Sequence, residues 1–167
     1  MIRVLAVGRG RSGPEMELFA RYAARIRPRM VLTEIPESVG APDETKRREA
    51  TALLAVVPRN GFVVALDQGG TSADSVALAG LVEQWLGLGR PLCFLIGGAE
   101  GLDGSVIARA DRVLSLGPLT WPHLLVRALL AEQLYRARMI SGSHPYHRAG
   151  RPGVDLRSKI QLKRVLK

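Results

Sequence analysis

The chain has 167 residues, 47% of them apolar, with 24 Lys and Arg against 15 Asp and Glu, a formal net charge of +9. That apolar share excludes a mostly disordered chain, and the length suits a single domain with a full hydrophobic core. Cys93 is the one cysteine, which excludes an intrachain disulfide and a cysteine-based zinc site.

In chain order, a first strand is expected over Ile2–Val7, followed by a helix from Glu15 to Ile26 that puts Met16, Phe19, Ala20, Ala23 and Ile26 near one face. Val31–Ile35 reads as the second strand. Asp43 to Val57 opens on acidic residues and stops before Pro58, as a helix does. Phe62–Leu66 is the third strand, leading through the polar turn Gln68-Gly69-Gly70-Thr71-Ser72 to a helix from Ser75 to Leu86. Leu92–Ile96 is the fourth, where Cys93 serves as a small buried hydrophobe. Val113–Leu116 is the fifth. A last helix is expected from about Pro122 to Ile140, with Thr120 able to cap it and Pro122 near the first turn.

Most of these strands are apolar at consecutive positions, as strands buried on both faces are. The strand–helix alternation predicts an α/β fold, a mostly parallel five- to six-stranded sheet with helices on both faces. No internal repeat is visible. Residues 1–8 lack the apolar length and cleavage pattern of a signal peptide, and no apolar stretch approaches a membrane span. A soluble, cytoplasmic protein with no membrane partner is expected. The basic balance favours a polyanionic partner, nucleic acid being the commonest, although a protein that is simply basic fits it equally.

Ligands of open α/β sheets bind beyond the carboxyl ends of the strands, and three such ends stand out. Leu66-Asp67 runs into Gln68-Gly69-Gly70. Ile96 runs into Gly97-Gly98-Ala99-Glu100-Gly101-Leu102. Leu116 runs into Gly117-Pro118-Leu119-Thr120-Trp121-Pro122-His123. Paired glycines let a ligand approach the backbone, although a Gly-Gly pair alone is more often a turn. Neither nucleotide-phosphate glycine spacing is present, and Glu100 would repel a phosphate. A neutral or cationic ligand with an adenine or ribose to hydrogen-bond suits such a site better. The loop after Leu116 offers backbone groups for an adenine edge, or is an ordinary helix start.

On the last helix, His123 and Arg127 share a face, as do Glu132 and Arg136 in the favourable acid-first order. Arg127 could project into the site and hold or polarise the substrate, or form an ordinary ion pair. His144, Tyr146 and His147 cluster within four residues. They suit contact with a base or proton removal better than metal binding, and a loose surface turn is the plain alternative.

In order along the chain, these pieces resemble the RlmH family of SPOUT methyltransferases. They are Ala6-Val7-Gly8, Leu66-Asp67, Leu95-Ile96-Gly97-Gly98 with Glu100-Gly101-Leu102, Leu114-Ser115, Leu119-Thr120, Pro122-His123, Val126-Arg127, Glu132-Gln133-Leu134-Tyr135-Arg136-Ala137 and His144-Pro145-Tyr146-His147-Arg148. The resemblance implies a C-terminal trefoil knot, an exception to unknotted topology. It implies a homodimer and S-adenosylmethionine bound at the knot. Leu66, Gly97, Leu116, Gly117, Pro118, Leu119, Thr120 and Trp121 are then the cofactor contacts. Arg127, His144, Tyr146 and His147 are the catalytic candidates. The implied reaction is methylation of N3 of a pseudouridine in 23S rRNA of the assembled ribosome.

The similarity covers residues 1–148, expected as the methyltransferase domain. Residues 149–167 form a basic extension, whose last eighteen residues carry six basic groups (Arg151, Arg157, Lys159, Lys163, Arg164, Lys167) and one acid, Asp155. The extension is either an added RNA-binding arm or a segment without a specific role. Two other classes compete with the enzyme reading. One is a non-catalytic RNA-binding or ribosome-associated protein of the same fold, separated by its lack of a saturable cofactor site. The other is a different α/β nucleotide-using enzyme, disfavoured by the missing phosphate loop.

Overall fold

A computed structural model describes residues 1–10 and 12–142. Five strands, β1 (Ile2–Val7), β2 (Met30–Ile35), β3 (Phe62–Ser72), β4 (Leu92–Ile96) and β5 (Arg112–Ser115), alternate with helices α1 (Pro14–Ala23), α2 (Pro42–Ala55), α3 (Ser75–Gly87), α4 (Gly104–Arg109) and α5 (His123–Ser141). The strands form one sheet in the order β2-β1-β4-β3-β5, and every neighbouring pair is parallel. This is the α/β architecture that the sequence predicts. All carboxyl ends therefore open at one edge of the sheet.

The consecutive apolar residues of the central strands divide between two cores, because successive side chains leave opposite faces. Ile2, Val4, Ala6, Val64, Phe94 and Ile96 pack with Phe19, Leu78, Val82, Trp85, Leu130 and Leu134 from α1, α3 and α5. On the other face, Leu5, Val7, Val63, Cys93 and Leu95 meet Ala50 and Leu53 of α2 and Val106 of α4. Trp85 joins the first core to the sheet, its ring centroid 5.8 Å from Phe62 and 6.3 Å from Phe94. Truncating a fully buried Phe94 would cost about 3–5 kcal/mol. Cys93 is buried and unpaired, and burial pushes its thiol pKa up.

Side chains fix two helix starts. Asp74 Oδ1 accepts the N–H groups of Val76 and Ala77 at 3.0 and 2.8 Å, and Asp103 Oδ1 accepts that of Ser105 at 2.8 Å. α1 stops at Ala23, three residues before the expected end at Ile26. The chain tightens there into i→i−3 bonds, Arg25 N to Tyr22 O and Ile26 N to Ala23 O, ahead of Pro28.

Two further expectations are corrected. Gln68–Ser72 is not a turn outside the sheet but the continuation of β3. Leu114 of β5 pairs with both Leu66 and Thr71, so that residues 67–70 bulge out between two stretches of ladder. Gly70 permits this, since a Cβ there would lie 2.7–2.8 Å from the Leu114 and Val113 backbone. Thr120 does not cap α5: Pro122 occupies the N-cap without a side-chain hydrogen bond, and the Thr120 hydroxyl is engaged by Gln68.

Candidate functional site

Three crossings at the carboxyl edge surround a cleft of about 400 Å³. The first follows Leu66, where Asp67 Oδ1 accepts the Gly69 N–H at 2.8 Å and closes a local turn. From its crest, Gln68 Nε2 donates to Thr120 Oγ1 at 2.9 Å and ties this crossing to the third.

The second crossing leaves β4. Gly98 and Gly101 form an antiparallel bridge, closed by Gly101 N to Gly98 O at 3.1 Å, with Gly101 at φ +79°. A Cβ on Gly97 would lie 2.6 Å from the Gly101 carbonyl carbon, so the loop folds back this tightly only because residue 97 is glycine. The third crossing leaves β5. There the Ser115 hydroxyl accepts the Gly117 N–H and donates to the Gly117 carbonyl, both at 3.1 Å. Leu119 and Trp121 stand at the rim, 63% and 37% exposed.

Seven of the expected cofactor contacts line this one cleft: Leu66, Gly97, Leu116, Gly117, Leu119, Thr120 and Trp121. Pro118 lies in the same loop but not on the lining. Asp67, Gln68, Gly98, Glu100, His123 and Val126 are among the other residues of the wall. Among the described residues, Asp67 and Glu100 are the only acids on the lining and no Lys or Arg joins them, on a chain of net charge +9.

The structure places Arg127 elsewhere. Its side chain is 0% exposed, and its guanidinium reaches beneath the end of β1 rather than onto the cleft wall. Nη2 donates to the carbonyls of Val7 and Gly8 at 2.8 and 2.7 Å, and Nη1 meets Glu34 Oε1 at 2.7 Å. The same Glu34 oxygen accepts the Gly10 N–H at 2.7 Å, so Arg127 and Glu34 together hold the turn leaving β1. His123 faces that turn from the cleft side, its Nε2 3.4 Å from Glu37 Oε1. The acid-first pair Glu132–Arg136 forms on α5, where Gln133 Nε2 donates to the second Glu132 oxygen at 2.6 Å. His144, Tyr146, His147 and the extension lie outside the described residues. Among the described residues no group of three or more His, Cys, Asp or Glu could hold a metal ion, and no helix is long and apolar enough to cross a membrane.

Comparison with known proteins agrees with the fold. The family model "Predicted SPOUT methyltransferase" matches residues 1–147. A protein of Gluconacetobacter diazotrophicus named ribosomal RNA large subunit methyltransferase H is 62% identical over 151 residues, covering 90% of this chain and 99% of its own. A protein of the same name from Acidiphilium cryptum is 56% identical over 151 residues, covering 90% and 96% respectively. Among solved structures, a probable methylase family protein from Haemophilus influenzae superposes with a TM-score of 0.54 at 12% identity, covering 98% of this chain and 77% of that one, a likeness of fold alone. The chain belongs to the SPOUT methyltransferases and, by its close relatives, to the RlmH family among them.

Proposed function

We propose that the chain is a cytoplasmic enzyme that methylates large-subunit ribosomal RNA, with S-adenosylmethionine as donor and N3 of a pseudouridine in 23S rRNA of the assembled ribosome as acceptor. The observation that carries the donor assignment is the sign of the cleft: among the described residues, two carboxylates and no Lys or Arg on its lining, in an otherwise basic protein. A nucleotide phosphate would be repelled there, while a cationic adenosyl compound would be drawn in. The volume of about 400 Å³ falls within the range of small-molecule sites. The names of the close relatives support large-subunit ribosomal RNA as the acceptor molecule, and the choice of pseudouridine N3 rests on the RlmH resemblance.

When bound, S-adenosylmethionine supplies an electrophilic methyl group on a sulfonium. Leu66, Gly97 and residues 116–121 are the proposed holders of its adenosyl part. The tight turn at Gly97 and the turn at Gly117, held by the Ser115 hydroxyl, shape these crossings, and Leu119 and Trp121 give the rim an apolar surface. The imide N–H of the acceptor must lose a proton. His144, Tyr146 or His147 is proposed to accept it or to orient the base. Arg127 is proposed to act on the reaction by fixing the turn at Gly8, against which His123 stands. The family's knot and homodimer belong to the same proposal, with the exposed Leu119 and Trp121 near the expected subunit boundary.

Incubating the protein and labelled S-adenosylmethionine with ribosomes that lack the modification, followed by mass spectrometry of the RNA, tests the reading. A new methyl group on a 23S rRNA pseudouridine is expected. A chain that binds RNA but transfers no methyl group would favour the non-catalytic alternative.

A further inference from the structure

Glu49 stands in the middle of α2, 4% exposed, and takes part in none of the ion pairs among the described residues. Its Oε1 accepts the Ser38 N–H at 3.0 Å. Its Oε2 is buried with no hydrogen-bond partner among the described residues. Burying a carboxylate oxygen without a donor is costly, so such a group calls for an explanation. The carboxylate lies directly against Gly98. A Cβ there would fall 3.0 Å from Glu49 Oε2 and 3.4 Å from Oε1, and Gly98 itself lines the cleft. Only the thickness of one glycine separates this carboxylate from the space in which the donor is proposed to sit.

We propose that Glu49 is a specificity-determining residue that makes the cleft prefer a sulfonium over the neutral thioether left after methyl transfer. Asp67 and Glu100 face the cleft beside solvent, where their fields are screened. Glu49 acts from the protein interior, where the effective dielectric constant is lower and no basic side chain among the described residues pairs with it. Its attraction is therefore sensitive to whether the bound ligand carries the extra positive charge. Holding the charged donor more firmly than the spent product would help the product leave. This role rests on the cofactor reading above.

Calorimetric titration of the whole protein and its Glu49→Gln variant tests it, with three ligands: S-adenosylmethionine, its demethylated thioether S-adenosylhomocysteine, and sinefungin, whose amine replaces the sulfonium as a cation. Gln is nearly isosteric and can still accept from Ser38. The substitution should weaken the two cationic ligands roughly tenfold and the thioether by less than about threefold. Equal weakening of all three would make Glu49 a brace for the glycine loop and overturn the proposal, as would no weakening at all. Glu49→Asp keeps the charge and guards against a Gln variant that does not fold. It should retain the wild-type ratio of sulfonium to thioether affinity, and a folded Asp variant that loses the ratio also contradicts the role. A wild-type chain that binds none of the three ligands overturns the cofactor reading itself.

Discussion

Arg127 on α5 and Glu34 on β2 form an ion pair of 2.7 Å across the carboxyl end of β1, with the arginine fully buried. The pair closes the turn after β1 by binding the Val7 and Gly8 carbonyls from one side and the Gly10 N–H from the other. Removing one partner of a buried pair strands the other, so Arg127→Ala should cost about 3–5 kcal/mol of stability. Glu34 is 29% exposed at its side chain, and water can replace part of what it supplies. Glu34→Gln should therefore cost less, about 1–2 kcal/mol. Urea denaturation of both variants and the double variant measures this; additive losses would show that the two residues do not act as a unit.

Gly97 and Gly70 are the positions where a methyl group meets backbone that cannot step aside. Gly97→Ala should force the turn at Gly101 open and weaken S-adenosylmethionine binding by about tenfold or more. Gly70→Ala should push β3 from β5 beside Leu114 and destabilise the fold by about 1–3 kcal/mol. Calorimetry on the first and thermal melting of the second provide the checks. Wild-type behaviour in either would mean that the crossing is looser than described.

Cys93 lies within the sheet between α2 and α4, and burial raises its thiol pKa. Less thiolate and no access predict slow reaction with a thiol-specific disulfide reagent in the native protein at pH 8, and rapid reaction once denaturant unfolds it. Fast labelling without denaturant would contradict the packing of that face.

Asp103 caps α4, and its hydrogen bonds from the Ser105 side chain and backbone hold its carboxyl pKa below the ordinary value of 3.8. A depressed carboxylate pKa adds stability that is fully present above the unfolded value and is lost as pH falls through the folded one. The Ser105 amide should thus stay protected at neutral pH and lose protection in acid below pH 3.8, while Asp103→Asn should flatten that dependence. Hydrogen exchange at Ser105 across this range gives the answer.

Much of this was legible in the sequence because the strands are apolar at consecutive residues and the helices between them are bounded by Pro and Asp. Once the strands are parallel, their carboxyl ends must share an edge, which brings Leu66, Gly97 and the 116–121 loop, all but Pro118, to one cleft. The reach of β3 to Ser72 was hidden because Asp67-Gln68-Gly69-Gly70 has the composition of a turn and is one locally; the strand resumes only through the pairing of Thr71 with Leu114. Arg127 and Glu49 were illegible for another reason. Their partners are the Val7 and Gly8 carbonyls, Glu34, the Ser38 N–H and Gly98, all distant in sequence or part of the backbone. Spacing within one helix cannot report such contacts.

The cleft beyond β3, β4 and β5 is the predicted seat of the methyl donor. A crystal structure of the protein grown with S-adenosylmethionine tests this most directly. Density for the adenosyl group between Leu66, Gly97 and the 116–121 loop, with the sulfonium on the side of Gly98, is the predicted result. Density for the ligand elsewhere on the molecule, with this cleft filled only by water, would contradict it.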